Sequence, residues 1–276
     1  MEQKTFALKG NIIYTKERTR FEVMEQGWLV CEEGRVRDVY SVLPEELKGI
    51  PVEDMEDRLI IPGLTDLHIH APQYTFRSLG MDMELLEWLE TNTFPEESKY
   101  KDAEYAQKAY GMFAEQLKKS ATVRACIFGT IHNEATLILM DLLEEAGLHT
   151  MVGKVNMDRN SPDYLCEPSA EASAQATREW LKAVADRKYK HTRPILTPRF
   201  TPSCTDELME LLKGIQTETH LPMQSHLSEN PGEIAWVKEL CPWSEFYGDA
   251  YDKFGLFGGD CPTVMAHCVY SGKEEM

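Results

Sequence analysis

Short apolar segments alternate with longer helix-like segments from Leu59 to the end of the chain. The apolar segments suit strands and lie at residues 64–70, 122–129, 150–157, 195–200, 223–227 and 263–269. The helix-like segments between them lie at residues 103–119, 135–146, 170–187, 205–219 and 233–240. This alternation is typical of a parallel sheet covered by helices, so it predicts an α/β fold.

The number of strand-helix units is smaller than in a closed barrel. Six β-α units can be counted in the sequence, whereas a closed (β/α)₈ barrel of the TIM type has eight. The last residues, "VYSGKEEM", follow a strand and resemble the start of another helix. We therefore expect residues 61–276 to form a TIM-like (β/α)₈ barrel that is incomplete, because the sequence ends before the last strands.

Residues 1–60 carry a different pattern. The stretches "TFALKGNIIYT" and "GWLVCEEGRVRDVYSV" are rich in β-branched and aromatic residues, with turn residues between them. Such segments are typical of short antiparallel strands. We therefore predict a small N-terminal β domain in residues 1–60, of the β-sandwich type.

The charge of the chain restricts its partners. With 29 basic and 46 acidic residues the net charge is −17, which disfavours binding to nucleic acid or to an anionic membrane. No apolar run reaches the roughly 18 residues that cross a bilayer, and the N-terminus lacks the apolar core of a secretory signal. The seven cysteines are scattered, without C-x-x-C spacing, which favours reduced thiols. These features predict a cytoplasmic protein with a small-molecule partner.

Two histidines stand at alternate positions in "PGLTDLHIHAPQYTF", at the end of the first predicted strand. Residues i and i+2 of a strand point to the same face, so the imidazoles of His68 and His70 can converge on one point, as metal ligands do. Two histidines at a strand end can also be ordinary surface residues. The pair alone therefore does not establish a metal site.

Further reactive side chains lie at the ends of other predicted strands. His226 is in "PMQSHL", Glu229 follows in "HLSEN", and His267 is in "TVMAHCV". In a parallel barrel all carboxyl ends open on one face, so residues far apart in sequence can meet there. Four of the eight histidines occupy these ends. The sequence therefore predicts a single site formed by several strand ends.

This set of residues resembles the amidohydrolase superfamily, and within it the mononuclear zinc deaminases. The likeness rests on H-x-H in the first strand, "HLSE" after the fifth and a histidine in the sixth. Dinuclear members carry a carboxylated lysine on the fourth strand, but "ILTPRFTPS" has no lysine, and we interpret Lys154, one strand earlier, as structural. Six blocks resemble the guanine deaminases from about residue 60 onward: "HIHAPQY", "LLEWLETNTFPEE", "VGKVNMDRN", "PRFTPSC", "QSHLSEN" and "VMAHCV".

The resemblance implies a metal-dependent hydrolase that converts guanine and water to xanthine and ammonia. By this likeness His68, His70 and His226 would bind one Zn²⁺ per subunit, or Fe²⁺, and leave a position for water. Glu229 would carry protons between water, a ring nitrogen and the leaving amine. His267 would stabilise developing charge or orient the nucleophile. The full-length protein is expected to be a homodimer.

The same resemblance implies how guanine is held. Gln73 and Arg199 would contact the purine edges, with Arg199 at the carbonyl oxygen and a ring nitrogen. A planar guanidinium with fixed donors suits purine acceptors, and Phe200 beside it offers a face for stacking. The alternative for Arg199 is a salt bridge at a strand end, and for Phe200 an ordinary core position.

The sequence also departs from the family. Such deaminases use an aspartate at the end of the eighth strand, and their β domain combines strands from both ends of the chain. The sequence includes neither that strand nor C-terminal β-domain strands. We therefore expect this polypeptide, made alone, to be unstable and poorly active, since two barrel strands would expose unpaired edges.

Two other functions fit parts of the pattern. A cytosine, triazine or thio- or methyladenosine deaminase would share the metal residues, and only Gln73 and Arg199 argue for guanine. A non-catalytic zinc-binding derivative would keep the histidines but has no use for the proton carrier Glu229.

Overall fold

The computed structural model describes residues 5–276, which divide into two compact units. The first unit ends at Gly63, and the second extends from Leu64 to Met276. Among the described residues, no helix combines the length and the apolar character needed to cross a membrane.

The first unit contains one four-stranded sheet, in the order β3-β2-β1-β4. Its strands are β1 (Phe6–Glu17), β2 (Arg20–Glu32), β3 (Arg35–Tyr40) and β4 (Val52–Ile60). The pairs β1-β2 and β2-β3 are antiparallel, as predicted. The strand β4, for which the sequence made no prediction, pairs with β1 in parallel. A sandwich needs two packed sheets, whereas residues 5–63 supply a single layer.

The second unit is built on parallel strands. These are β5 (Leu64–His70), β6 (Thr122–Phe128), β7 (His149–Gly153), β8 (Val155–Asn156), β9 (Thr192–Pro194), β10 (Thr197–Pro198), β11 (Met223–Leu227) and β12 (Thr263–His267). They form three parallel groups: β5-β6-β7-β9, β8-β10 and β11-β12. An isolated parallel bridge pairs Leu196, between β9 and β10, with Met223 of β11, and so connects the third group with the others. We count β7 with β8, and β9 with β10, as one strand position each. Within residues 64–276 the wall therefore has six strand positions in sequence order, of the eight in a closed barrel.

Helices connect the successive strands. They are α1 (Leu85–Trp88), α2 (Phe94–Ser98), α3 (Ala103–Lys118), α4 (Asn133–Ala146), α5 (Ala170–Arg187), α6 (Asp206–Thr219), α7 (Pro231–Leu240) and α8 (Asp249–Asp252). A π-helical turn, Leu89–Thr93, joins α1 to α2. The larger helices bury one apolar face against the strands, as Leu139, Met140 and Leu143 of α4 do.

Side-chain caps explain where several helices begin. Asp102 accepts hydrogen bonds from two amides at the start of α3, and Ser169 and Thr205 each accept one at the starts of α5 and α6. Asn230 and Glu233 form a capping box at α7. These residues satisfy amides that have no partner within the helix.

Two predicted strands differ from the observed ones. The segment predicted at 150–157 is divided at Lys154 into β7 and β8, which pair with different strands. The segment predicted at 195–200 is replaced by β9 and β10, each ending in a proline. Proline lacks the amide hydrogen that a continuous ladder needs, so regular pairing is interrupted here.

A glycine allows the close approach of the third and fourth strand positions. A Cβ atom on Gly153 would overlap the hydroxyl of Thr197 and lie 2.9 Å from the carbonyl oxygen of Ile195. Backbone and a buried threonine side chain cannot move away easily, because the interior is close-packed. This position therefore requires glycine.

We expect Gly153→Ala to lower the free energy of unfolding by about 1–3 kcal/mol, since overpacking forces neighbours to shift. The midpoint of urea unfolding measures the change. Gly214→Ala is the matched control, because nothing lies within 4 Å of its added Cβ in α6, and alanine there should stabilise by roughly 0.5–1 kcal/mol. Equal effects of the two variants would contradict the packing argument.

A carboxylate on α4 fixes the start of β9. Glu144 accepts hydrogen bonds from the amides of Lys190, His191 and Thr192, at 2.8–2.9 Å. Burial raises the pKa of Glu144, but the three amide hydrogen bonds outweigh it, and the pKa lies below its ordinary value. The charged carboxylate therefore stabilises the folded state.

Glu144→Gln should lower the free energy of unfolding by about 1 kcal/mol at pH 7, a value reduced for partial exposure. A lowered folded-state pKa gives stability that is complete above the unfolded-state pKa and is lost as the pH falls through the folded-state value. The difference between the two proteins should therefore shrink as the pH falls below about 4.3. Glu145→Gln, at the exposed neighbouring position, is the control. The free energy of unfolding of each protein is measured in urea at pH 7 and again below about pH 4.3. A pH-independent difference would refute the role of the charge.

Candidate functional site

Four imidazoles meet where the strands of the second unit end. The rings of His68 and His70, on β5, have centroids 5.0 Å apart, and His226 on β11 lies 4.9 Å from His68. His267, the last residue of β12, lies 4.8 Å from His68. The parallel strands thus bring together side chains that are up to two hundred positions apart in sequence, as predicted.

The nitrogen atoms of this cluster are close enough to share a cation. One ligand atom from each of His68, His226 and His267 lies within 4.8 Å of the other two. His70 is outside that set of three, but its Nε2 lies 3.0 Å from Nε2 of His226. Two nitrogens that each bind one Zn²⁺ at about 2.0–2.1 Å are roughly 3.0–3.4 Å apart for angles of about 90–110°. Two sets of three ligands are therefore considered: His68, His226 and His267, and His68, His70 and His226. Both sets contain His226.

The hydrogen bonds of these histidines also suit metal binding. Nδ1 of His226 lies 2.6 Å from the carbonyl oxygen of Arg199, so it donates its hydrogen and leaves the lone pair on Nε2. A backbone carbonyl commonly orients a ligating histidine in this way. Nδ1 of His68 and Nδ1 of His70 are buried without a hydrogen-bond partner among residues 5–276. No hydrogen bond from a protein group therefore holds Nδ1 of either ring, in contrast to Nδ1 of His226.

Burial keeps the imidazoles uncharged. Burial, and next the electrostatic effects of His267 and Arg199, together lower the pKa of His68 to about 4. Burial also holds the pKa values of His70 and His226 well below their ordinary range. A neutral imidazole has the free lone pair that a metal ion requires. The cluster is therefore ready to bind a cation at neutral pH.

Glu229 lies beside the histidines and is not one of the group that could hold the cation. Its Oε2 is 3.3 Å from Nε2 of His267. Burial, and next the negative charge of Glu233, raise the pKa of Glu229 to about 7, although the charge of Arg199 opposes this rise. A carboxyl group with a pKa near 7 can both accept and donate a proton at neutral pH.

The backbone around these residues is strained. Ser228, His267 and Cys268 have φ angles of 48°, 75° and 52°, a left-handed region that residues with a Cβ rarely occupy. The amide of Cys268 donates to the carbonyl of Leu227 at 2.9 Å, and the amide of Tyr270 donates to that of Ser228 at 2.9 Å. Such strain costs about 1–3 kcal/mol per residue and is found mainly at functional sites.

A cavity of about 150 Å³ connects the histidines with the residues predicted to hold substrate. All the side chains predicted for the site line it: His68, His70, Gln73, Arg199, Phe200, His226, Glu229 and His267. The structure thus brings every predicted residue into one pocket, while their individual roles stay predictions. The cavity is small compared with the roughly 300–1,000 Å³ of drug-binding pockets, so it suits a small ligand.

Several neighbours of the site were not found from the sequence. Glu97 of α2 forms a buried ion pair with Arg199, with Nη1–Oε2 and Nη2–Oε1 distances of 2.5 and 3.1 Å. Phe128 ends β6 and stacks on His70, with centroids 4.5 Å apart. Leu85, Trp88 and Leu89 complete the wall. The block "LLEWLETNTFPEE" supplied a signal for these last residues and for Glu97, but no local pattern relates Glu97 to Arg199.

Lys154 belongs to a separate network. Its ammonium group is fully buried and pairs with Glu167, which also accepts hydrogen bonds from the amide of Met157 and the hydroxyl of Ser173. Lys154, between β7 and β8, thus pairs with the loop after β8, and Glu167 of that loop is in turn held by Ser173 of α5. The interpretation of Lys154 as a structural residue agrees with these contacts.

A sequence model of the amidohydrolase family matches residues 59–276. The chain belongs to this family. The family is built on the TIM-barrel hydrolase fold, and its deaminases depend on metal ions, so the histidine cluster could hold one.

Amidohydrolases of known sequence and structure resemble the chain over nearly its whole length. A guanine deaminase from Dictyostelium discoideum is 38% identical over 285 residues, which cover 97% of this chain and 63% of that protein. The guanine deaminase of Escherichia coli is 36% identical over 261 residues, which cover 91% of this chain and 57% of that protein. The crystal structure of guanine deaminase from C. acetobutylicum with bound guanine has a TM-score of 0.94 and 47% identity, and covers 99% of this chain and 64% of that one. The chain thus spans about three fifths of the length of these relatives.

We expect His226→Ala to weaken Zn²⁺ binding by more than about 100-fold, because His226 is common to both possible sets of ligands. Loss of a residue that only hydrogen-bonds to a metal ligand already lowers metal affinity by about 10- to 100-fold. Titration of the purified protein with Zn²⁺, followed by metal analysis, measures this. His149→Ala is the control, because His149 is exposed and lies at the amino end of β7, away from the cluster. This variant should bind Zn²⁺ like the wild type.

Two further variants distinguish the sets. If His68, His70 and His226 bind the metal, His70→Ala should lose it and His267→Ala should keep it. The reverse result would assign the metal to His68, His226 and His267. Unchanged binding in all three variants would exclude the cluster as a metal site.

Proposed function

We propose that the chain carries the active site of a guanine deaminase, which hydrolyses guanine to xanthine and ammonia. The observation that carries this proposal is that a proton carrier, Glu229, and a hydrogen-bonding residue for a purine, Arg199, share one small cavity with the histidine cluster. The similarity to guanine deaminases at 36–47% identity supports the choice of substrate.

We propose Zn²⁺ as the metal, one per subunit, with Fe²⁺ as a possible replacement. His68, His70 and His226 would hold it through neutral nitrogens, which the lowered pKa values of these groups favour. When bound, the metal would lower the pKa of water to about 7 and so supply a nucleophile at neutral pH.

In this proposal Glu229 moves the protons. The carboxylate takes a proton from the attacking water and delivers it to a ring nitrogen as C2 of guanine becomes tetrahedral. It then takes the second proton from the hydroxyl group now on C2 and gives it to the leaving amine, so that the C2–N bond breaks, ammonia departs and C2 keeps a carbonyl oxygen. The pKa of about 7 supports both roles, because the group gives up and regains a proton readily at neutral pH. His267, whose Nε2 lies 3.3 Å from Glu229, would stabilise developing charge or orient the nucleophile.

Three other residues would hold the purine. Arg199 donates to the carbonyl oxygen and a ring nitrogen of guanine, and Gln73 contacts another edge. Phe200 is buried at the cavity wall, 6.4 Å from the ring of Trp236, where it can offer a face to a planar ligand. Together they would orient C2 toward the metal.

We further propose that the protein acts as a cytoplasmic homodimer with guanine and water as its reactants, binding neither nucleic acid nor membrane. The net charge of −17 supports the last point, because like charges repel. We also propose that residues 1–60 form the N-terminal part of a small composite β domain and that residues 61–276 form the amidohydrolase barrel.

Glu229→Gln should reduce the rate of xanthine formation by about 10²- to 10⁴-fold, since glutamine cannot carry protons. Zinc content should stay at the wild-type value, because Glu229 is not a proposed ligand. Ammonia and xanthine are measured with the zinc-loaded protein and guanine. Glu239→Gln, on the exposed side of α7, is the matched control and should retain full activity. A Glu229→Gln rate within tenfold of the wild type would refute the assigned role.

A further inference from the structure

An ion pair is buried behind the wall of the cavity. The side chains of Arg199 and Glu97 are 3% and 0% exposed, and both nitrogens of the guanidinium fork donate to the carboxylate. Bidentate pairs of this kind fix the plane of the guanidinium as well as its position. Arg199 lines the cavity, whereas Glu97 does not, so Glu97 can act on a ligand only through Arg199.

The rest of Arg199 is held with similar firmness. Its amide donates to the carbonyl of Asn156 at 3.2 Å, and its own carbonyl accepts from Nδ1 of His226 at 2.6 Å. The guanidinium carbon lies 5.2 Å from the centre of the Phe94 ring, on the same helix as Glu97. The backbone of Arg199 thus orients a candidate metal ligand, while its side chain is oriented by α2.

The pair also determines the charge that a ligand meets. An arginine alone in a buried, poorly solvated wall would attract anions strongly. The carboxylate of Glu97, paired with both nitrogens of the guanidinium fork, cancels this charge. Burial raises the pKa of Glu97, while the charge of Arg199 opposes this rise, so the two charges depend on each other. Apart from the proposed metal ion, which is the same in every variant compared, the remaining charged side chain of the lining is Glu229, and it repels anions when ionised.

A guanidinium retains its directional donors when its charge is compensated. It has five N–H groups, and two of them suffice for the contact with Glu97. Those that face the cavity can still donate to a carbonyl oxygen or a ring nitrogen. Arg199 paired with Glu97 therefore recognises hydrogen-bond geometry rather than negative charge.

We propose that Glu97 is a positioning residue that determines specificity: by holding and neutralising Arg199 it makes the cavity select uncharged planar rings over anionic rings of the same shape. This inference rests on the proposed function, because it takes Arg199 as the residue that contacts the ring. The ligands that we expect the cavity to select are uncharged, planar nitrogen heterocycles.

The test uses two purines that differ in charge but little in shape, purine-6-carboxamide and purine-6-carboxylate. Their dissociation constants are measured by calorimetry with zinc-loaded wild type and with Glu97→Gln. The wild type should bind the neutral amide more tightly. In Glu97→Gln the preference for the amide should fall at least tenfold, because the charge of Arg199 is no longer cancelled. The KM for guanine should rise at least tenfold while kcat changes by less than about threefold.

Glu96→Gln is the matched control. Glu96 is the preceding residue of α2 and is 8% exposed, and it pairs with Lys99 at 2.6 Å rather than with Arg199. Its variant should keep the wild-type preference between the two purines. A similar change in both variants would show that a disturbed α2, and not the charge of Glu97, is responsible, and would overturn the proposal.

Glu97→Asp keeps the test decisive if the glutamine variant does not fold. Aspartate retains the charge but withdraws the carboxylate by one methylene. The preference for the neutral purine should remain, while the KM for guanine should rise about three- to tenfold. Loss of the preference, or an unchanged KM, would overturn the proposal.

The outcomes for the inference and for the function are separate. A wild type that binds both purines but does not deaminate guanine would refute the proposed function. A preference that is the same within twofold in wild type and Glu97→Gln would refute the role of Glu97, even if guanine is deaminated normally.

Discussion

Parallel pairing of the strands in residues 64–276 is the constraint on which the site depends. Because β5, β6, β11 and β12 all run in the same direction, their carboxyl ends open on one face. Each strand then needs to carry only one or two reactive residues at its end. The strand core can remain apolar and well packed, as the fully buried β11 illustrates. Chemistry and stability are thus assigned to different residues of the same strand.

Burial of charge is the second feature of the site. The histidines are neutral because burial lowers their pKa values, and Glu229 has a raised pKa for the same physical reason. Arg199 keeps a compensating carboxylate in Glu97, since an unpaired charge in this position would be costly. Polar groups can therefore be collected in a small cavity without an uncompensated charge. The hydrogen-bond donors and dipoles held in this cavity can then stabilise charge that develops in a transition state.

Rigidity around the site comes from contacts between distant segments. The carbonyl of Arg199 fixes the imidazole of His226, and the left-handed turns at Ser228 and His267 direct the ends of β11 and β12. These turns are held by hydrogen bonds between the two strand ends. Strain that is held by several contacts of this kind persists only in the folded state, so the site is formed together with the barrel wall.

The sequence by itself determined the elements and the reactive residues. The observed bounds of β5, β11 and α5 agree with those predicted, because apolar periodicity and capping residues act over a few neighbouring positions. The spacing of His68 and His70 and their repetition at later strand ends likewise predicted one site in one cavity. The direction of β4 and the division of the third and fourth strand positions were not predicted, since they depend on pairing with distant strands.

Only the tertiary structure decided which side chains meet. Glu97 and Arg199 are separated by 102 positions, and Gly153 is required because Thr197 lies against it. A local pattern records whether a residue is buried and in which element it lies, but not which residue of another element faces it. Those partners are chosen by the packing of whole elements, because close packing leaves one arrangement in which every neighbour fits.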